Sequence, residues 1–207
     1  MINPWEEVSI FDYEAHMKLD EIQQLQTLNM IMKRQIESFP IQSLAILGIA
    51  GGNGLEHIDT NQIHMVYGID INQEYLNVCY SRYGHLAQHL NLQKLDLSDL
   101  NTTIPTVDLV IANLLIEYIG VNIFVKHMQK IQPLYVSSVI QKNSTSDFVS
   151  KSPYTECFNK ISGVHTDVNQ DLLIKSMETI HMDLISFDEV LLPNKKAFIQ
   201  LNFKRQN

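Results

Sequence analysis

The chain has 207 residues, of which 45% are hydrophobic and 18% charged, enough for one domain with a large core. Its formal net charge of −8 argues against a nucleic-acid partner, because binding to phosphate backbones requires a basic surface. The acidic first residues lack the apolar core of a signal peptide, and no apolar run reaches the length that spans a bilayer. We therefore predict a cytoplasmic protein with no membrane partner and two reduced cysteines.

The hydrophobic pattern predicts strands and helices that alternate along most of the chain. Residues 1–19 are expected to be irregular and residues 20–38 to form an amphipathic helix. Strands are predicted at Leu44–Leu47, Met65–Ile69, Leu92–Leu97, Val107–Ala112, Leu134–Ile140, Met182–Leu192 and Lys195–Phe203. Further helices are expected between the first two strands, after the N-cap Asn72, at Val121–Ile131 and at Asp167–Thr179. The alternation predicts a doubly wound α/β fold whose seven-stranded sheet is mostly parallel and ends in an antiparallel hairpin.

The segment between the first two predicted strands is the most informative part of the sequence. A short apolar strand leads into a turn with four glycines, Gly48, Gly51, Gly52 and Gly54. Glycine allows positive φ and a close approach of the backbone to a ligand. The expected helix offers free N–H groups to that ligand, and the second strand ends on Asp70, which is placed to accept hydrogen bonds from both ribose hydroxyls. This layout predicts a nucleotide-binding half-fold.

Five alternating strands and helices, closed by a helix and a hairpin, resemble the class I S-adenosylmethionine-dependent methyltransferases over about residues 42–203. The first motif of that family reads acid-x-Gly-x-Gly-x-Gly. Gly52 and Gly54 fit its last two glycines, whereas Gly48 stands in place of the acid and Ala50 in place of the first glycine. The family's acid often holds the methionine end of the cofactor. The resemblance therefore implies that backbone carbonyls, water or another side chain bind the amino group here.

The remaining motifs fall at the ends of the next three strands, where open α/β sheets bind ligands. By resemblance, Asp70 would hold the ribose, or it could be an ordinary strand-end acid that caps the next helix. Asp96 would accept from the adenine amine, with Asp99 as the alternative. Asn113 would either lie beside the reacting sulfonium or only cap its loop. The full cofactor set implied by the resemblance is Gly48, Ala50, Gly52, Asn53, Gly54, Asp70, Ile71, Asp96, Leu97, Asn113 and Tyr13.

Within this set, Ile71 would lie along the adenine and the Leu97 N–H would meet a ring nitrogen. Tyr13 would reach the methionine carboxylate, or it could be a surface aromatic residue that packs on a lid. The fourth motif, which ends at Asn113, lacks the Asn-Pro-Pro-Tyr sequence of amino-methylating DNA enzymes. This difference again argues against a nucleic-acid substrate.

We expect a single domain over residues 1–207, in which residues 1–40 form an N-terminal lid segment and helix. The long polar stretch 141–165 is expected to be a second lid, because long loops without structure in compact domains are often functional. Glu117 and Tyr118 follow the fourth strand and are the candidates for a general base or an orienting group. The pattern nevertheless favours the plainer role of an ordinary acid at a helix start. The histidines lack metal-ligand spacing, so no metal site is predicted.

The sequence therefore predicts methyl transfer from S-adenosylmethionine to a small-molecule acceptor. One alternative is a methyltransferase-like domain that binds ligands without catalysis, which the substitutions at Gly48 and Ala50 motivate. A less favoured alternative is an NAD-dependent oxidoreductase, for which the sequence offers neither Gly-x-Gly-x-x-Gly nor Tyr-x-x-x-Lys. The oligomeric state and the atom that is methylated are left open.

Overall fold

The computed structural model describes residues 3–144 and 147–206 and contains one seven-stranded sheet. Its strands are β1 Ser43–Leu47, β2 Met65–Asp70, β3 Leu90–Lys94, β4 Leu109–Asn113, β5 Tyr135–Lys142, β6 Met182–Leu191 and β7 Ala197–Arg205. Across the sheet the order is β3-β2-β1-β4-β5-β7-β6. The first five strands pair in parallel, and β7 pairs antiparallel with both β5 and β6. The predicted sheet, including its terminal hairpin, is confirmed.

Six α-helices accompany the strands within the described residues. They are α1 Ile10–Lys18, α2 Gln24–Glu37, α3 Gln73–Tyr83, α4 Ile116–Ile119, α5 Val121–Ile131 and α6 Gln170–Glu178. Short 3-10 segments lie at Pro4–Glu7, Leu55–His57 and Gly84–Leu86, and a longer one at Thr155–Gly163. None of the described helices is long and apolar enough to pass through a bilayer.

Both faces of the central strands are buried, which explains why their sequences are apolar without alternation. In β4, Val110 and Ala112 belong to the core on the side of α5 and α6, whereas Leu109 and Ile111 belong to the core on the side of α2 and α3. This division follows the two-residue period of a strand. Helices therefore cover the two faces of the sheet, and the edge where the parallel strands end remains open to a ligand.

Asp108 fixes the alignment of β1 and β4 at the amino ends of the parallel strands, opposite the carboxyl ends. Asp108 Oδ2 accepts hydrogen bonds from the backbone N–H groups of Gln42 and Ser43, at 2.8 and 2.9 Å. This ties the start of β1 to the start of β4. Because the strands are parallel and in register, the residues that follow or end β1, β2 and β4 come together at the carboxyl edge. The site is assembled there.

Two expectations about local structure are wrong. Residues 3–19 are not irregular throughout, because α1 forms with Ser9 as its N-cap and buries Ile10 and Met17. The helix expected between β1 and β2 is absent, and only the 3-10 segment Leu55–His57 is present. A turn replaces it, in which the Asp59 side chain accepts from the backbone N–H of Asn61 at 3.0 Å. Such side-chain to backbone bonds compete with helix formation.

Smaller differences concern where elements begin and end. β3 starts at Leu90 and ends at Lys94, because its pairing with β2 runs from Val66 to Asp70. The stretch 141–165 is not free of structure, since it contains the segment Thr155–Gly163. Residues 145 and 146 of the predicted second lid, and residues 1, 2 and 207 of the predicted domain, lie outside the described residues.

Candidate active site

A cavity lies at the carboxyl edge of the sheet, and its empty volume of about 930 Å³ includes space that is open to solvent. We call it the main cavity. Of the residues singled out from the sequence, it is lined by Tyr13, Gly48, Ala50, Asp70, Ile71, Asp96, Leu97, Asn113 and Tyr118. The ends of strands that are far apart in the sequence thus meet around one space.

Asp70 is the central polar group of this cavity and is only 7% exposed. Its Oδ2 accepts from the backbone N–H of Ala50 and its Oδ1 from that of Asn72, both at 2.9 Å. Burial raises the pKa of Asp70 to about 6, and hydrogen bonds from the backbones of Asn72, Ala50 and Ile71 oppose the rise. The helix that follows is capped by Asn72, whose side chain accepts from the N–H groups at its start. Asp70 is therefore not the helix cap.

The glycine turn keeps its left-handed backbone although it lacks one glycine of the family pattern. Gly48 has φ +73° and Ala50 has φ +48°. At Gly48 a Cβ would meet only ordinary contacts, 3.5 Å from Leu115 Cδ1, so the constraint there is backbone conformation. Ala50 adopts a conformation that glycine prefers, and its N–H thereby faces Asp70. The alanine substitution therefore does not prevent the turn from forming.

Gly52, Asn53 and Gly54 are not brought to the main cavity. A Cβ at Gly52 would lie 2.8 Å from Cys79 Sγ, and one at Gly54 would lie 2.4 Å from Met32 Cγ. Asn53 donates from Nδ2 to the carbonyl of Leu25 at 2.9 Å. The structure thus places the two glycines where helices pack closely against the turn, and the asparagine where it binds α2.

Asp96 of the third motif and Asn113 of the fourth both line the main cavity, but only the side chain of Asn113 is held in place by hydrogen bonds to a buried side chain. Asp96 is exposed and accepts from the Ser98 backbone at 2.9 Å, whereas Asp99 holds the turn at Asn101. Asn113 is fixed by a reciprocal pair of 2.9 Å hydrogen bonds with the buried amide of Gln35. Its amide therefore ties β4 to α2 at the wall of the main cavity.

The segment before α2 closes one side of the main cavity through Trp5 and Tyr13. Asn72 Nδ2 donates to the carbonyl of Trp5 at 2.9 Å. Arg82 forms a two-pronged ion pair with Glu14, with Nη1–Oε1 and Nη2–Oε2 distances of 2.5 and 2.7 Å. The first contact joins the 3-10 segment Pro4–Glu7 to the cap of α3, and the second joins α1 to α3. Tyr13 is half-buried between them and lines the main cavity.

A second, smaller space of about 490 Å³ adjoins the main cavity and shares Trp5, Tyr13, Leu114 and Tyr118 with it. We call it the aromatic pocket. Its other lining residues include His16, Glu117, Gln141, Phe148, Phe158 and His165. Its rings contact one another. The centroids of Trp5 and Tyr118 are 4.8 Å apart at nearly right angles, and those of Phe148 and His165 are stacked at 4.0 Å.

Glu117 lines this pocket and is only 2% exposed. Its Oε1 accepts from the Gln141 backbone N–H at 2.8 Å, while its Oε2 has no hydrogen-bond partner among the described residues. Burial raises the pKa of Glu117 to about 7, and the hydrogen bond from Gln141 opposes the rise. Burial also raises the pKa of Tyr118. Glu117 is therefore a buried acid in the first turn of α4.

Most of the aromatic pocket was not identified from the sequence. Two segments supply most of its aromatic residues. Trp5 comes from the N-terminal segment, and Phe148, Phe158 and His165 come from the stretch 147–165. The sequence contains no short motif that would mark these residues as neighbours in the folded chain. Only the tertiary packing of the N-terminal segment against the stretch 147–165 places them together.

No protein-family model matches the sequence, and no curated protein matches it. Solved structures do match. The N-methyltransferase NodS from Bradyrhizobium japonicum WM9, in complex with S-adenosyl-L-homocysteine, is 12% identical with a TM-score of 0.64, over 94% of this chain and 96% of that one. A geranyl diphosphate methyltransferase bound to GPP and sinefungin is 8% identical with a TM-score of 0.65, over 87% and 78%.

The (4+2)-cyclase SpnF is a third match, 10% identical with a TM-score of 0.63, over 89% of this chain and 82% of that one. Its name shows that the shared architecture also carries a reaction other than methyl transfer, so the activity has to be argued from the site. What these similarities establish is the architecture: the chain has the Rossmann-like fold of the S-adenosylmethionine-dependent methyltransferases.

Proposed function

We propose that the protein transfers a methyl group from S-adenosylmethionine to a small-molecule acceptor. One observation carries the proposal: Asp70, at the end of β2, presents a buried carboxylate to a cavity of about 930 Å³. The cavity lies at the carboxyl edge of the sheet, where open α/β folds bind nucleotide-like ligands. Neighbours of the same fold that were solved with S-adenosyl-L-homocysteine or sinefungin support this choice of cofactor.

The residues present fit the nucleoside part of the cofactor. Asp70 would accept from the ribose hydroxyls through the lone pairs not used by Ala50 and Asn72. Ile71 would lie along the adenine, the Asp96 carboxylate would accept from the adenine amine, and the Leu97 N–H would meet a ring nitrogen. These residues line the same cavity.

The methionine part of the cofactor would lie near the turn that follows β1. Gly48 leaves no carboxylate there, so the amino group would be bound by backbone carbonyls or water. Tyr13 lines the same side of the cavity, where its hydroxyl would donate to the carboxylate. Burial raises the pKa of Tyr13, and the negative charge of Asp70 adds to this effect. Tyr13 therefore remains a hydrogen-bond donor at neutral pH.

Bound S-adenosylmethionine supplies an electrophilic methyl group on a sulfonium. The task of the protein is to hold the acceptor in line with the sulfur and to exclude water. The aromatic pocket would hold the acceptor, because it adjoins the main cavity and shares Trp5, Tyr13 and Tyr118 with it. The N-terminal segment and the stretch 147–165 would act as the two lids. Glu117 is the candidate to take a proton from the acceptor.

The first test is a calorimetric titration of S-adenosylhomocysteine and, separately, of NAD into the purified protein and its Asp70→Ala variant. We expect micromolar binding of S-adenosylhomocysteine alone, weakened at least tenfold in the variant, or about 1.4 kcal/mol. Asp70→Asn serves as the matched variant, since it keeps an acceptor for Ala50 or Asn72 but removes the charge. Thermal melting checks that both variants fold.

Failure of wild-type protein to bind S-adenosylhomocysteine would refute the proposal, and binding of NAD would favour the oxidoreductase alternative. The second candidate function is a ligand-binding domain without methyl transfer, which the Gly48 substitution and the cyclase of the same fold motivate. Tight binding of S-adenosylmethionine with no turnover across a broad panel of acceptors would support that candidate.

A further inference from the structure

The aromatic pocket contains an acid that the protein itself does not neutralise. Glu117 Oε2 is buried and has no hydrogen-bond partner in the part of the chain that the structure describes. The ion pairs found within residues 3–144 and 147–206 do not include Glu117. A buried carboxylate oxygen without a partner is costly. A group of complementary chemistry would remove this cost by binding beside it.

The two histidines that line the pocket do not provide a positive charge at neutral pH. Burial lowers the pKa of His16 to about 4, and Lys196 lowers it further. Burial also lowers the pKa of His165. Burial lowers the pKa of Lys196 to about 8, so this lysine is charged at pH 7. It lies outside the pocket lining, and its Nζ donates to the backbone carbonyls of Asp147 and Phe148 and not to Glu117. Glu117 is thus the pocket residue that can become charged near neutrality.

The walls of the pocket suit a positive charge as well. They include the rings of Trp5, Tyr13, Tyr118, Phe148 and Phe158. The faces of such rings attract a cation, and the attraction grows when the cation is removed from water. The pocket is smaller than the main cavity, which favours a compact ligand. A buried acid among aromatic faces is the combination that complements an organic ammonium group.

We propose that the aromatic pocket binds a compact organic amine in its protonated form, whose N–H donates to Glu117 Oε2 and whose charge lies among the aromatic rings. The identification of this amine as the methyl acceptor rests on the proposed function, but its binding does not. A charged N–H to carboxylate hydrogen bond is about twice as strong as a neutral one. A neutral hydroxyl would also satisfy the oxygen but would gain nothing from the rings' attraction for a cation.

The test uses two matched pairs of probes that differ in the ammonium group. Tyramine is compared with 4-ethylphenol, and tryptamine with 3-ethylindole, by calorimetric titration into the protein with and without saturating S-adenosylhomocysteine. We expect at least one amine to bind at least tenfold more tightly than its neutral partner. If neither amine binds, or if the neutral molecules bind equally well, the inference is overturned. This comparison needs no variant.

Glu117→Gln identifies the group responsible. The substitution keeps the acceptor for the Gln141 N–H and removes the charge, and we expect it to weaken amine binding at least tenfold without changing affinity for S-adenosylhomocysteine. Asp167→Asn is the control, because it removes an exposed carboxylate whose charge acts on Glu117; we expect less than a twofold change. Unchanged amine binding in Glu117→Gln would overturn the inference.

The two proposals fail separately. Absence of S-adenosylhomocysteine binding, with amine binding intact, would refute the proposed function and keep the amine site. Binding of S-adenosylhomocysteine without a preference for amines would refute the amine site and keep the proposed function.

Discussion

The main cavity and the aromatic pocket adjoin each other but are built in different ways. The main cavity is formed largely by backbone turns and side chains at the ends of parallel strands, such as Gly48, Asp70 and Asn113. The aromatic pocket is formed by side chains from the N-terminal segment, from α4 and from the stretch 147–165. The first depends on the sheet, whereas the second depends on how two segments outside the sheet pack against it.

This difference separates two kinds of sensitivity to substitution. Changes in the main cavity should act through the backbone conformation of the turn after β1 and through Asp70. Changes in the aromatic pocket should act through charge and ring contacts, while the sheet remains intact.

The largest effect is expected for Gly52→Ala, which tests whether this glycine serves packing or cofactor binding. Gly52 has φ +85°, and its added Cβ would lie 2.8 Å from Cys79 Sγ and 2.9 Å from the Tyr83 ring. Left-handed strain and overpacking together should lower the free energy of unfolding by about 3 kcal/mol. Urea denaturation followed by circular dichroism measures this loss.

Gly84→Ala provides the control for that substitution. Gly84 has φ −58°, and a Cβ there would meet no atom within 4 Å, so we expect a change within about 0.5 kcal/mol. If Gly52→Ala were as stable as wild type but bound S-adenosylhomocysteine poorly, Gly52 would be a cofactor contact and not a packing residue.

The second effect concerns the pH dependence of stability in Glu117→Gln. Since Glu117 has its pKa raised to about 7 in the folded protein, the native state holds a proton that the unfolded state has already released. Stability therefore falls as pH rises from about 4.5 through 7. Removing the carboxyl should make the variant up to about 3 kcal/mol more stable relative to wild type at pH 8 than at pH 4.5.

Urea denaturation of both proteins across this pH range measures the difference. Asp70, whose pKa is also raised, is present in both proteins, so its contribution cancels in the comparison. Parallel stability curves would mean that Glu117 ionises in the folded protein as it does in water, and that its carboxylate is not desolvated.

The smallest effect is expected for Ala50→Gly. Ala50 has φ +48°, so glycine removes left-handed strain but also adds entropy to the unfolded state. The two terms nearly cancel, and we expect a gain of about 0.5 kcal/mol in the free energy of unfolding. Affinity for S-adenosylhomocysteine should change less than twofold, because the N–H that faces Asp70 is kept.

Lys195→Gly is the matched control, since Lys195 has φ +65° in the hairpin turn and lies outside both cavities. Its stability should change by a similar amount without any change in affinity. A large gain in affinity on Ala50→Gly would show instead that the alanine hinders cofactor binding.

The fold was predictable from the sequence because its signals are local and periodic. The run Leu109–Asn113 is apolar on both faces, as its burial in β4 requires, and Val121–Ile131 shows one apolar helical face with the bounds observed. Local chemistry also explains the failures. Ser9 caps a helix that the aromatic content of the N-terminus obscured. Asp59 forms a turn where the layout of strand, glycine turn and second strand had indicated a helix.

The candidate site was predictable only where it follows the strands. Asp70 and Asp96 occupy motif positions at strand ends and line the main cavity. Trp5 and Phe158 are separated by most of the chain, and the sequence contains no pattern that relates them. The unpaired oxygen of Glu117 is likewise a property of its surroundings, which only the folded chain defines.

The N-terminal segment has a consequence for the timing of ligand exchange. Trp5 and Tyr13 form part of the wall of both cavities, and the ion pairs Arg82–Glu14 and Lys94–Glu6 hold the segment in place. Movement of this one segment therefore opens both spaces at once. On the proposed function, release of the spent cofactor and of the methylated product would depend on the same movement, so its rate and not that of methyl transfer would set when both leave.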